Sequence, residues 1–218
     1  FIPVLLLILV LLWQRSALKA KLTSLNKEVG HFKRDSQLHT PFALLLNFLL
    51  ALPVSLFLAL GGFALQLDGQ GHNIYLADAM FQIAKAWLVL YTAYCLLKPG
   101  GVAEKHFHWP REATQILYNQ MRSLGMLLIP LLAVATIAEH QPEALSKDNL
   151  GMLLVMIGYL LLAALLRKML LTGPAREHAS MLRLALGSTL VLLPLGLVVA
   201  IGMGYYYTAL KLTDRLID

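Results

Sequence analysis

Apolar residues in this chain of 218 residues fall into six long runs, at 1–13, 41–65, 79–97, 124–138, 150–166 and 184–210, separated by polar gaps. None of the runs alternates apolar and polar positions with the period of two that a barrel strand needs, so each predicts a helix. A hydrocarbon core about 30 Å thick takes about 20 helical residues. The second and sixth runs exceed that length. The fourth and fifth reach it with help from Arg122 and Arg167, whose long stems carry their charge to headgroup level. The pattern predicts an all-α, polytopic helical membrane protein with six transmembrane helices arranged as helical hairpins.

The gaps divide the chain further. Residues 1–40 read as a first transmembrane helix with a cytoplasmic extension, because 14–40 is helix-permissive and only Gly30 interrupts it. A transmembrane hairpin then occupies 41–97, with Pro41 in an early helical position and Thr40 as its N-cap. Pro99-Gly100-Gly101 ends the third run, since proline lacks an amide donor and glycine reaches unusual backbone angles. The connector 98–121 then predicts a short interfacial helix opened by Trp109 and Pro110, with Ile116, Leu117 and Met121 on one side. A second hairpin follows at 122–166, then a cytoplasmic loop at 167–183 and a sixth helix within 184–218.

Composition agrees with this picture. The chain is 58% hydrophobic and only 14% charged, with a mean hydropathy of +0.68, whereas soluble domains carry roughly 25% charged residues. Lys and Arg alternate between gaps. Fourteen lie in the first, third and fifth gaps, three lie on the other side, and Lys85 sits inside a run. By the positive-inside rule the basic gaps are cytoplasmic and the Asp218 end is periplasmic. The net charge of +6 is therefore a topology signal, and no nucleic-acid partner is expected. Basic side chains at the inner edge also attract anionic headgroups. Arg15, Lys19, Lys21, Lys98, Lys105, Arg111, Arg122, Arg167 and Lys168 are the candidate anionic-lipid contacts, alongside their role in fixing orientation. The chain begins without Met and without a basic n-region, so it reads as a piece of something larger, not as an intact signal peptide.

The outward-running second, fourth and sixth runs each hold a proline: Pro53, Pro130 and Pro194. Gly61 and Gly202 follow two of them by eight residues, and the third has Ala138. The prolines lie 77 and 64 residues apart, a spacing that fits duplicated hairpins. Pro53, Pro130, Pro194, Gly61, Gly62, Gly202 and Gly204 are the candidate kink points, although proline and glycine are also common in transmembrane helices for packing reasons. Gly202 and Gly204, followed by Tyr205, Tyr206 and Tyr207, also fit a helix end at an aromatic belt.

Buried chemistry is scarce. Lys85 reads as a snorkelling side chain within reach of Asp78. Asn47, Gln82, Ser55, Thr92, Thr136, Ser188 and Thr189 share no common depth, which fits helix-to-helix hydrogen bonding. Cys95 is the lone cysteine, which rules out a disulfide framework and reads as a buried, inert thiol. His106 and His108 beside Glu104 offer two or three zinc ligands with no further Cys or His to complete a site, so a solvated pair is preferred. No nucleotide-binding, metalloprotease or nucleophile-elbow motif is present. No cofactor and no catalysis are expected.

The run from Lys98 to Glu112, KPGGVAEKHFHWPRE, resembles the cytoplasmic connection in the membrane region of large MscS-like mechanosensitive channels of the MscK and MscM type. Leu52-Pro53-Val54 with Leu60-Gly61-Gly62, and Met121-Arg122-Ser123-Leu124-Gly125 with Ile129-Pro130-Leu131, are similar to the neighbouring helices. The resemblance covers most of the chain from Gln14 onward. It implies a bacterial inner-membrane channel, assembled as a homo-heptamer, that opens under membrane tension and releases ions and small solutes in osmotic downshock. It also implies that the pore helix and cytoplasmic domain lie elsewhere in the same polypeptide, since no Gly/Ala-rich pore helix is found here. The expected role is a peripheral array that couples bilayer tension to the pore. Two other readings stand beside it. A secondary transporter or permease fragment would need polar groups converging at mid-depth, and a lipid-modifying enzyme would use Glu104, His106 and His108.

Overall fold

The computed structural model describes residues 1–28, 38–67, 73–140, 149–172 and 181–205, together with 208, 209 and 212. Eight helices are defined among the described residues: α1 (Ile2–Trp13), α2 (Arg15–Glu28), α3 (His39–Gln66), α4 (Ile74–Leu96), α5 (Val102–Lys105), α6 (Arg111–His140), α7 (Asn149–Thr172) and α8 (Met181–Gly202). The break expected at Gly30, the gap at 141–148, the loop at 173–180, Tyr206, Tyr207 and the Asp218 end lie outside the described residues.

The fold is all-α and its long helices are membrane-spanning in character. α3, α4, Arg111–Ile137 of α6 and Gly151–Leu170 of α7 are each long and apolar enough to cross a bilayer. Ile2–Trp13 and Arg15–Asn26 form a fifth candidate only if counted together, because they bend by 54°. Among the described residues this makes four spans, or five with the bent pair, where the sequence pattern predicts six. Both ends account for the difference: α1 has only 12 residues, and the apolar part of α8, Gly187–Gly202, is shorter than a full span.

Three local expectations are revised. The first helix does continue toward the basic gap, but through the bend at Gln14. Backbone bonding persists there, from Gln14 N–H to Val10 O at 2.9 Å and from Leu18 N–H to Gln14 O at 2.9 Å. Thr40 is not an N-cap: α3 already begins at His39, with Leu38 at the cap position and no side-chain cap bond. The helix expected from Trp109 and Pro110 is not a separate interfacial one, since Arg111 to His140 is one helix of 30 residues. No glycine or proline stands between Arg111 and Ser123 to stop it.

Neighbouring helices pack in chain order. α3 lies on α4, α4 on α6, α6 on α7 and α7 on α8, while α1 and α2 run along α3. Small residues let α3 and α4 approach closely. Ala43, Ala51, Ala77, Ala79 and Ala84 are all buried, and a Cβ on Gly62 would lie 3.0 Å from the Ala77 carbonyl oxygen and 3.3 Å from the Phe81 ring. Close backbone approach is the usual means of helix association where lipid removes the hydrophobic drive. Ser55 Oγ crosses this seam to Ala84 O at 2.8 Å. Asn47, Thr92 and Thr136 instead donate to the carbonyl four residues back on their own helices, at 2.8, 2.6 and 2.9 Å.

A second core joins α6, α7 and α8 through Leu131, Ala135, Val155, Tyr159, Leu197 and Ile201. Around both cores the outer faces stay bare: Ile2, Leu6, Phe57, Val89, Leu154, Leu161, Leu192 and Val199 are all exposed. Continuous apolar surface of this kind is what a bilayer covers.

Candidate functional site

The distinctive Lys98–Glu112 run folds into a compact corner between α4 and α6. Gly101 N–H closes a turn on Lys98 O at 2.7 Å. Gly100 has a φ of 70°, the left-handed region that glycine adopts without strain. At Gly101 a Cβ would sit 2.5 Å from the Lys98 carbonyl oxygen, so the chain can turn this tightly only with glycine. Val102 and Ala103 on α5 are then buried and anchor the corner, and His108 at a φ of 54° redirects the chain into α6.

Two polar side chains fasten this corner. Glu104 accepts from the Gly100 amide at 2.9 Å and from the Thr114 hydroxyl at 2.7 Å, so one carboxylate bridges the turn and the first turns of α6. The Thr114 bond above all, with help from the Gly100 amide and nearby Arg111 and Lys105, holds the Glu104 carboxyl below the usual carboxylate range. His106 reaches the other way, with Nδ1 3.0 Å from Thr40 Oγ1 on α3 and Nε2 3.2 Å from Asn26 Oδ1 on α2. An amide oxygen only accepts, so Nε2 carries the proton in that bond. Asn26 Nδ2 also donates to Gly100 O at 3.4 Å. Glu104 and His106 are thus placed as fasteners of α2, α3 and α6, and no group of three metal-ligating side chains occurs among the described residues.

An aromatic ladder rises from the same corner. Trp87, Tyr91 and Tyr94 follow one another on α4 at ring separations of 5.3 and 6.0 Å, and Tyr94 stacks on Tyr118 of α6 at 4.5 Å. The Tyr94 and Tyr118 hydroxyls share a hydrogen bond. Arg15 Nη2 donates to Tyr91 OH at 2.9 Å, tying α2 to α4. The ladder was legible in principle: a spacing of four and then three residues puts Trp87, Tyr91 and Tyr94 on one helix face. Asn26 and Thr114 carry no such signal.

The ladder separates two hollows. On one side lies a cavity of about 540 Å³ among α2, α3, α4 and the glycine turn, with Lys19, Lys98 and Lys105, the polar Thr23, Asn26 and Asn47, and the apolar Leu22 and Leu50 in its lining. On the other, a mostly apolar groove of about 470 Å³ runs between α4 and α6 past Leu90, Met126 and Ile129, with Arg122 in its wall. Of the other basic candidates, Lys21 lies 5.0 Å from the Phe42 ring centroid. Arg111 opens α6, while Arg167 and Lys168 are exposed on α7. The structure gathers Lys19, Lys98 and Lys105 at one cavity and leaves Arg167 and Lys168 on a different helix. Cys95 is half-buried and lines the same cavity.

The proline and glycine candidates separate by environment. Pro53, Pro130 and Pro194 all lie inside α3, α6 and α8. The first and last are buried, and Pro130 is exposed. Gly61 and Gly62 face α4 at its closest approach. Gly202 ends α8, and Gly204 at a φ of 88° caps it. There Gly204 N–H bonds Ile201 O at 3.0 Å and Tyr205 N–H bonds Ala200 O at 2.9 Å, the paired bonds of a Schellman end.

Long apolar helices packed in chain order, bare on their outer faces and fastened at a basic corner, define the multi-pass helical domain of a membrane protein. The chain belongs to the MscS_TM family: the family model for the mechanosensitive ion channel inner membrane domain 1 matches residues 1–218. It is similar to the mechanosensitive channel MscK of Escherichia coli (strain K12), with 31% identity over 217 residues, covering 100% of this chain and 19% of that protein. It is also similar to an uncharacterized MscS family protein of Haemophilus influenzae, with 27% identity over 215 residues, covering 93% of this chain and 19% of that protein. The chain therefore spans about a fifth of the length of these relatives.

Proposed function

We propose that this chain is the peripheral, tension-sensing transmembrane module of a mechanosensitive channel that opens under membrane tension and releases ions and small solutes in osmotic downshock. The match of the whole chain to the inner membrane domain of that family carries the reading. The finer features belong to the proposal. They are a channel of the MscK type, six spans arranged as helical hairpins with the basic corner in the cytoplasm and the Asp218 end in the periplasm, and a homo-heptamer whose pore helix and cytoplasmic domain lie elsewhere in the polypeptide. The module has no catalytic step of its own, and its working partner is lipid.

The mechanism follows from the two kinds of contact. A lipid-covered array biases gating only if its open and closed arrangements differ in area or hydrophobic thickness, so that tension favours one of them. Bare aliphatic faces on α1, α7 and α8 supply the coupling to lipid. The fastened corner keeps α2, α3, α4 and α6 moving together at their basic ends, so tilting is left to the parts of α3 and α6 beyond Pro53 and Pro130 and to α8 with Pro194. Patch recording of the full-length protein in liposomes under graded suction tests this, with Pro53→Leu and Pro194→Leu as the variants. A shifted opening tension with unchanged conductance is expected. Unchanged thresholds would remove the prolines from the mechanism, and absence of any tension-activated current would defeat the channel reading.

A further inference from the structure

The cavity beside the glycine turn is chemically lopsided. Three lysines, Lys19 from α2, Lys98 after α4 and Lys105 at the end of α5, converge on it, and none of its described lining residues is a carboxylate. The nearby acid, Glu104, is engaged by Gly100 and Thr114. Each lysine is itself exposed, so the three ammonium groups form a rim. Asn47 lies deeper, 0% exposed. Its amide nitrogen donates to Ala43 O at 2.8 Å, while Oδ1 is enclosed with no donor among the described residues. A buried acceptor left unmatched costs free energy that a ligand donor recovers. Leu22 and Leu50 add apolar wall, and the size suits a small organic ligand.

We infer that this cavity is a binding site for a phosphate ester bearing a free hydroxyl, as presented by a phosphoglycerol headgroup of the surrounding bilayer. The phosphate meets Lys19, Lys98 and Lys105 at the rim, and the hydroxyl donates to Asn47 Oδ1. The apolar wall and the position at the ends of membrane-spanning helices favour a lipid over a soluble ester of the same chemistry. The site deepens the proposal that lipid is the working partner of this module, and it rests on that reading for its membrane setting.

Lipid retention by the full-length protein tests it, measured by native mass spectrometry after equilibration in mixed micelles without applied tension. Phosphatidylglycerol competes in turn with phosphatidylcholine, which has no net charge, and with phosphatidylmethanol, which keeps the charge and lacks the hydroxyl. We expect phosphatidylglycerol to be retained about fivefold over phosphatidylmethanol, the worth of one hydrogen bond, and more than about a hundredfold over phosphatidylcholine, which lacks both the net charge and the hydroxyl, given about fivefold for each of the three basic side chains near an anionic headgroup. Lys98→Gln with Lys105→Gln should cut the preference over phosphatidylcholine by about twenty-five-fold and leave the preference over phosphatidylmethanol, whereas Asn47→Leu should erase the preference over phosphatidylmethanol and lower the other by only the same factor of about five. Both lysines are exposed, so the charge variants keep the fold. Equal retention of all three lipids by the unmodified protein overturns the site. Displacement of phosphatidylglycerol by millimolar glycerol phosphate, with no lipid preference remaining, overturns the lipid as its source. The readout is independent of gating. A failed site leaves the tension recordings to stand, and a failed tension response leaves the retention ratios to stand.

Discussion

The α3–α4 pair and the α7–α8 pair are both apolar, yet they are held by different means. Between α3 and α4 two close contacts are to backbone, with Gly62 against the Ala77 carbonyl and Ser55 bonded to Ala84 O, beside a contact of Gly61 with the flexible end of Met80. Between α7 and α8 the close approach at Gly187 is to the side chain of Leu170, and Gly158 of α7 likewise meets the end of Leu131 on α6. A carbonyl oxygen cannot step aside, whereas a leucine can change rotamer. One half of the array is therefore a stiff seam fastened at its basic end, and the other a compliant aliphatic pack.

Substitutions can break or sharpen this contrast. The largest effect is expected from Gly62→Leu, which drives a branched side chain into the Ala77 backbone and Phe81 and should cost about 3 kcal/mol as overpacking, read as thermal unfolding in nanodiscs. Gly158→Ala, where only Leu131 must yield, should change stability by less than about 1 kcal/mol. Similar losses at both positions would end the distinction between stiff and compliant halves. Next comes Thr114→Val, which removes the hydroxyl bound to Glu104 and should cost about 1 kcal/mol. It should also speed amide exchange at Gly100 with little change in α8.

Acid tests the same fastener. Because the Glu104 carboxyl is held below its ordinary value, its contribution is complete above the unfolded value of about 4.3 and is lost as pH falls through the lowered folded value. Exchange at Gly100, compared with Glu104→Gln at each pH, should show protection that disappears only in that acidic window. A variant indifferent to pH alongside an equally indifferent parent would remove Glu104 from the corner. The smallest effect is expected at Leu192→Ala, on the exposed face of α8, within about 0.5 kcal/mol.

The long helices were readable because their apolar runs match the bilayer thickness and lack the period-two alternation of a closed barrel, the other structure that satisfies backbone groups there. Continuity was harder to read. Nothing in the residues around Gln14 announces a bend of 54°, and the polarity of 111–121 resembled a loop-side helix although it is the start of α6. At the corner, Pro99-Gly100-Gly101 was recognisable as a turn from local backbone chemistry alone. Its fasteners were not, since His106 meets partners 80 and 66 positions away. Without those partners an H-x-H pair beside a glutamate reads as surface chemistry or weak metal ligation.

The stacked rings along α4 and α6 have an optical consequence. Chromophores 4.5 to 6.0 Å apart couple their transitions, and the sign and size of that coupling depend on ring orientation. Tyr94 and Tyr118 belong to different helices, so any sliding of α4 past α6 alters the near-ultraviolet circular dichroism of the ladder. The domain thus contains its own spectroscopic gauge of helix alignment, built from unlabelled side chains.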